Sequence, residues 1–328
     1  MPNTRNPRSG SLQFWPRKRS KRKSARIRTF ADSKDPKITG FAGYKIGMGH
    51  VQAIETNKYS HKKGQEITVP VTLVECPPLK LAMVRLYKKN RTSILLKKEI
   101  VISTDKILAK RFTLPKKITF DPEKVKEGID EVRVIAYTIP SKTTIGKKAP
   151  DLFEVNVGGS TVDEKLNFVK ENMDKEITFS SVFAEGDLFD AKVITKGKGF
   201  QGPVKRFGIH IRESKSEKSI RNPGSLGPWK GQGGIMWRVP HAGKMGYHQR
   251  TEYNKQVLLI SNPKDQEINP KGGIVNYGLV KSDYLLFAGS IPGPKKRLIR
   301  ITPTIRTKAK QIPQAPELQL ISLRSQQG

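Results

Sequence analysis

"FAGYKIGMGHVQAIET" (residues 41–56), followed by "QEITVPVTLVEC" (residues 65–76), is the stretch whose reading decides the fold. Apolar residues alternate with small or polar ones, and Ile, Val, Thr and aromatics dominate. That period and composition suit pleated strands, with glycines at the turns. The signature returns in LFDAKVITKG (188–197), NKQVLLIS (254–261), DYLLFAGSI (283–291) and RLIRITPTI (297–305). Many short strands separated by Gly and Pro turns predict a mainly β protein built on a β-barrel. The barrel is assigned to residues 38–80, 186–199 and 255–305.

Two stretches interrupt it. Residues 81–185 mix strands (KKEIVIS, EVRVIAYTIP) with helical signals and read as an α/β insertion. DPEKVKEGID opens on Asp-Pro and fits a short helix. TVDEKLNFVKENM (161–173) places Val162, Leu166, Val169 and Met173 on one face. Thr161 stands as a cap, with Glu164 three residues on. Residues 200–254 form the second interruption. The chain begins with a basic arm, 1–37, and ends in a tail, 306–328.

Charge sets the partner class. The 328 residues hold 62 Lys and Arg against 29 Asp and Glu, a net of +33. The excess is uneven: residues 1–37 carry 12 basic and 2 acidic residues, and 191–260 carry 14 and 3, whereas 38–190 carry 25 and 20. Concentrated like charge repels itself and calls for a polyanion, and counterion release from phosphates drives such binding. A membrane fits less well: no run of 18 apolar residues exists, and no basic helix shows a clean apolar face. The N-terminus lacks an apolar signal core, which argues against secretion. The one cysteine, Cys76, excludes an internal disulfide framework and suits a reducing compartment. It reads as a small buried hydrophobe.

Within the basic segments, aromatics are interleaved with cations. Phe14 and Trp15 sit in the arm, where they suit stacking on unpaired bases. Lacking any period, the arm is expected to be disordered alone. In GSLGPWKGQGG (224–234), Trp229 lies among glycines with no apolar neighbours of its own. Trp237, in IMWRV, alternates like a strand residue and is expected in a core. No acid occurs from Lys218 through Thr251, so neither an acid/base pair nor a metal site can be built there. GKGFQG (197–202) matches a dinucleotide fingerprint in letters only. Pro203 follows at once and no helical apolar spacing succeeds it, so the segment reads as a bulged strand exit. The five histidines form no zinc-like pair, and no catalytic elbow or phosphate loop appears. No enzyme activity, cofactor, metal or small-molecule substrate is expected. A DNA-packaging protein would more naturally show a recognition helix or a repeated basic motif, and a translation factor would need a nucleotide-binding domain.

GPWKGQGGIMWRVPHAGKMGYHQRTEYNK (227–255) resembles the central extension of the large-subunit ribosomal protein three family. GSLQFWPRKRS resembles that family's N-terminal arm, FAGYKIGMGHV its first barrel strand, and GKGFQGPVKRFG the entry to its extension. The large insertion resembles the archaeal and eukaryotic branch, and the modest tail its archaeal side. Gln13, Trp15 and Gly49 depart from the usual residues. Glu217 stands where eukaryotic relatives carry a modified histidine, so that modification is expected to be absent.

The resemblance implies a translation-protein-type barrel, an RNA-penetrating loop whose tip approaches the peptidyl transferase centre, and a structural role in the large subunit in the cytoplasm. Implied partners are large-subunit rRNA and neighbouring proteins, by resemblance protein fourteen and a twenty-four-type protein. Trp229 matches the loop-tip tryptophan and Arg221 a basic residue on its approach. The residues expected on RNA are Arg17, Lys18, Arg19, Lys21, Arg22 and Lys23 in the arm. In and beside the extension they are Lys198, Lys205, Arg206, Lys218, Arg221, Trp229, Lys230, Arg238, His241, Lys244, His248 and Arg250.

Overall fold

The alternating stretch at 41–56 forms β1 (Phe41–Ile54), which pairs with β2 (Glu66–Glu75) along most of its length, Val51 opposite Val69. In the computed structural model, residues 7–56, 59–118, 120–126, 128–216, 218–306 and 316–322 are described. The remaining strands in chain order are β3 (Leu79–Lys89), β4 (Ile94–Val101), β5 (Glu131–Thr138), β6 (Leu152–Asn156), β7 (Leu188–Ile194), β8 (Gly197–Gln201), β9 (Gly243–Gly246), β10 (Gln249–Ser261), β11 (Tyr284–Ala288), β12 (Leu298–Pro303) and β13 (Glu317–Ile321). The helices are short: α1 (Pro122–Val125), α2 (Val162–Glu171) and α3 (Pro203–Phe207). The protein is mainly β.

The chain falls into two units, Met1–Lys23 with Ile194–Gln249, and Ser24–Val193 with Arg250–Gly328. The larger holds a sheet ordered β12-β7-β10-β11-β2-β1, and β1 pairs back onto β12 through Phe41–Tyr44 and Leu298–Ile301. Six strands therefore close into a ring, which removes exposed edges. Gly43 makes the β1–β2 approach possible, since a Cβ there would stand 2.5 Å from Cys76 Sγ and 2.9 Å from the Glu75 carbonyl oxygen. The core on the two faces of the ring holds Phe41, Tyr44, Ile46, Val74, Leu285 and Ile299, with the Phe189 and Phe287 rings 4.2 Å apart. Each such side chain contributes about 1.5–3 kcal/mol by leaving water. Cys76 is buried and unpaired, as its sequence neighbours suggest.

Beyond the barrel, β4-β3-β5-β6 form a second, antiparallel sheet. One face joins the barrel's core through Leu81, Val84, Leu86, Val132 and Val134. The other packs Met83, Ile135 and Tyr137 on Leu108. The capping signal at Thr161 is realised in full: its hydroxyl accepts from the Glu164 N–H at 3.3 Å and the Glu164 carboxylate accepts from the Thr161 N–H at 3.5 Å. Leu166 and Val169 are buried.

Two buried charges tie loops to this unit. Glu75 accepts the Lys281 and Ser282 amide N–H groups, both at 2.9 Å, and the Tyr277 hydroxyl. Burial nonetheless raises its carboxyl above the ordinary range. Arg300 donates to the carbonyl oxygens of Ala25 and Glu154, and burial pulls its guanidinium down to about 9. The tail departs from expectation. Glu317–Ile321 is a strand, β13, that pairs with Val51–Ile54 of β1.

Candidate nucleic-acid interface

The smaller unit joins the first part of the arm to the central extension. It carries nineteen Lys and Arg against two Glu, so under a quarter of the chain holds about half of its net charge. Its base is a two-stranded ribbon, β8 with β9, Phe200 opposite Lys244, irregular between Gly197 and Phe200. The bulged strand expected at GKGFQG is present. The helical turn that follows it, α3, was not expected. Pro203 stands in its first turn, where a missing N–H costs nothing, and Gly208 ends it in a left-handed conformation.

Around the buried Phe207 of α3 the arm and the extension meet. Trp15 stacks on the Phe207 ring at 5.5 Å and 18°, and Trp237 meets Trp15 edge-on at 5.5 Å and 75°. The Arg17 guanidinium lies 4.4 Å and that of Arg206 5.0 Å from the Phe207 centroid, close enough for cation–π attraction. Arg17 Nη1 donates to the Arg206 carbonyl at 3.0 Å, and Arg206 Nη2 returns a bond to the Arg17 carbonyl at 3.2 Å. Arg206 also donates to the carbonyls of His241 (2.8 Å) and Lys244 (3.1 Å). Further along, the Ser20 N–H donates to the Tyr247 carbonyl at 2.8 Å, and His248 Nδ1 lies 3.0 Å from the Lys18 carbonyl. Gly10 completes the contact: any Cβ there would fall 2.5 Å from Phe207 Cδ1.

Two effects disfavour the charged form of these two guanidiniums. Burial lowers both, and each also feels a neighbouring guanidinium, Arg8 for Arg17 and Arg17 for Arg206. Their hydrogen bonds run to neutral carbonyls, as do those of Arg8 to Arg238 and of Arg212 to Pro223. The ion pairs of the described residues, such as Arg133–Glu131 and Lys142–Glu176, belong to the larger unit.

The expected RNA residues divide into two sets. Lys18, Arg19, Lys21, Arg22, Lys23, Lys198, Lys205, Lys218, Arg221, Arg238 and Lys244 are exposed. Arg17, Arg206, His241 and His248 are half-buried, and three of them bond backbone carbonyls. Arg250 is half-buried at the first position of the larger unit's second segment. The Lys230 side chain and Glu217 lie outside the described residues.

The tryptophans need correction. Trp237 is in no core: it lies at a turn and is 62% exposed, because residues 235–239 find no strand partner. Trp15 turns onto Phe207 instead of outward, while Phe14 remains exposed. Trp229 sits on a 3₁₀ turn, Pro228–Gln232, and is 46% exposed. A Cβ built at Gly224, Gly231 or Gly234 beside it would meet no protein atom within 4 Å. Protein packing therefore does not call for those glycines. Sequence reasoning missed Arg8, Gly10 and Phe207, whose partners lie some 200 residues away in the chain.

Comparison with known proteins gives a consistent result. A profile of the family described as Ribosomal protein L3 matches residues 1–112 and 97–328. The chain is 42% identical over 332 residues to the large ribosomal subunit protein uL3 of Methanothermobacter thermautotrophicus, covering 98% of each. It is 42% identical over 334 residues to that of Methanocaldococcus jannaschii, covering 99% of each. To that of Archaeoglobus fulgidus it is 46% identical over 308 residues, covering 92% of each.

Proposed function

Because the chain belongs to the Ribosomal protein L3 family, and so is a large-subunit ribosomal protein that binds rRNA within the cytoplasmic ribosome, we propose that its smaller unit is the part that penetrates the rRNA. On this reading the closed barrel is of the translation-protein type, and the extension carries Trp229 toward the peptidyl transferase centre. There it positions rRNA and supports subunit assembly, with no catalytic side chain of its own. Neighbouring proteins fourteen and twenty-four-type flank the barrel.

One observation carries the proposal: a half-exposed tryptophan on a turn within an acid-free, glycine-rich segment. Ordering such a segment costs entropy that the protein's own contacts do not offset. Stacking on a base is worth about 1–3 kcal/mol, and phosphates supply the missing counter-charge. Glycines leave room for close backbone approach to RNA.

The test is Trp229→Ala, read twice. In the free chain, thermal unfolding should shift by less than about 0.5 kcal/mol, as for a surface site. In assembled subunits, rRNA chemical reactivity near the reaction centre should change and tRNA binding there should weaken, while peptide transfer persists. Unchanged rRNA reactivity, or an unfolded free chain, would overturn the reading.

A further inference from the structure

One place is unexplained by rRNA binding. β4 is one of the two outer strands of the four-stranded sheet, and its free side pairs with no strand among the described residues. Ile94, Leu95 and Leu96 follow one another on it, 46%, 50% and 48% exposed. Since successive side chains point to opposite faces, apolar surface is exposed on both sides of this edge. Such an edge is a template for another strand unless something covers or blunts it.

The hydrogen-bond phase shows which backbone groups are available. The Asn90 N–H donates to the Ser93 carbonyl at 2.8 Å, closing the β3–β4 turn. Lys89 is opposite Ile94, Lys88 opposite Leu95 and Tyr87 opposite Leu96. Bonded and non-bonded pairs alternate in an antiparallel ladder. Lys88 and Leu95 are thus the next bonded pair, and the N–H and C=O groups of Ile94 and Leu96 point to the free edge.

Charge identifies the occupant. From Lys88 to Lys98 there are five cations, Lys88, Lys89, Arg91, Lys97 and Lys98, and no acid; Lys89 already meets Glu131 of β5 at 3.3 Å, whereas Arg91 and Lys98 are exposed. Aliphatic side chains offer a base no aromatic face to stack on, so the edge suits protein better than RNA. We propose that β4 is a docking edge on which an extended, acidic segment of a neighbouring ribosomal protein adds as a fifth strand. The added strand bonds the Ile94 and Leu96 backbone groups, covers the Ile94–Leu96 side chains, and sets its carboxylates against Arg91 and Lys98. The surface lies in the larger unit, so its test is independent of the Trp229 reading.

The experiment places a photocrosslinking amino acid at Leu95 of the full chain, assembled into salt-washed large subunits. Crosslinked products are identified by mass spectrometry. The expected product joins position 95 to one acidic segment of one other ribosomal protein. In the same subunits, Ile94→Pro removes an edge N–H without touching the β3 ladder and should lower the yield about tenfold, whereas Ile94→Val should not. Should Ile94→Pro fail to fold, the double change Arg91→Glu with Lys98→Glu leaves the backbone intact and should lower the yield comparably. Crosslinks to rRNA, to a second copy of this chain, or to nothing would each overturn the proposal. So would full yield in the charge-reversed chain.

Discussion

Replacing Phe207 by Ala should loosen the smaller unit and leave the barrel intact. Phe207 is 7% exposed, and on it converge the Trp15 ring, the Arg17 and Arg206 guanidiniums and the Gly10 backbone. Truncating a buried Phe costs about 3–5 kcal/mol through lost burial and the cavity left behind. The stacked Trp15 adds about 0.5–1.5 kcal/mol beyond area, and the unit has few other buried aromatic rings to redistribute the loss. Hydrogen exchange in the free chain reads the effect locally. The Ser20 amide, bonded to the Tyr247 carbonyl, and the Gly208 amide, bonded to the Val204 carbonyl, report on the unit. Amides of β2 and β11, paired through Leu73 and Leu286, report on the barrel. A loss near 3 kcal/mol should cut protection at Ser20 and Gly208 by about a hundredfold, with barrel amides unchanged. Equal acceleration in both places would refute the idea that Phe207 organises its own unit, and no acceleration at Ser20 would refute the arm–extension contact itself.

Three further outcomes follow from the packing. Trp237→Ala should cost only about 0.5–1.5 kcal/mol in thermal unfolding, the value of an exposed edge-on ring contact, against ~3–5 kcal/mol for a core ring. Arg300→Lys keeps the buried charge, but one ammonium does not span the carbonyls of Ala25 and Glu154. The orphaned acceptor should lower the urea midpoint by an amount worth about 1–3 kcal/mol with the slope unchanged. Glu75 has a carboxyl raised by burial above the ordinary carboxylate range. The folded state then holds its proton more tightly than the unfolded one. The stability this contributes is complete below the unfolded value and is lost as pH rises through the folded value. Glu75→Gln should flatten that segment of the stability–pH curve, and an unaltered curve would show that Glu75 is not its source.

What the sequence revealed depended on which faces water touches. β1, β2, β7, β10, β11 and β12 were legible because strand alternation and turn glycines agree. α2 was legible because Thr161 and Glu164 announce its start. β3 was not, and its burial explains why. Leu79–Tyr87 is covered on one face by the barrel core and on the other by Leu108 and Tyr137, so it reads as an almost continuous apolar run without alternation. β13 failed for the opposite reason: mostly exposed, it owes its strand to pairing with β1 rather than to burial. IMWRV misled because alternation alone does not supply a pairing partner. At the candidate interface the charge was legible, since composition needs no geometry. The turning of Trp15 and Arg17 onto Phe207 and Arg206 was not, because no local pattern encodes contacts across some 190 residues.

The same contrast explains how the smaller unit stays cationic and folded together. In the larger unit carboxylates hold Arg85, through Glu99 and Glu154, and Arg133, through Glu131 and Glu154, although the buried Arg300 is held by carbonyls. Each such pair fixes a side chain and also cancels its charge. In the smaller unit, Arg8, Arg17, Arg206 and Arg212 are fixed instead by backbone carbonyls and by the face of Phe207. A carbonyl dipole orients a guanidinium without neutralising it. The cost is burial of charge first and repulsion second: Arg17 and Arg206 are both lowered by desolvation, and then by a neighbouring guanidinium, Arg8 for Arg17 and Arg17 for Arg206. The gain is a positioned array of cations whose charge remains available to phosphate, where neutralisation releases counterions instead of breaking an internal pair. Acid-free sequence from Lys218 to Thr251 is thus more than the avoidance of repulsion with RNA: it obliges the unit to build its internal contacts from carbonyls and rings.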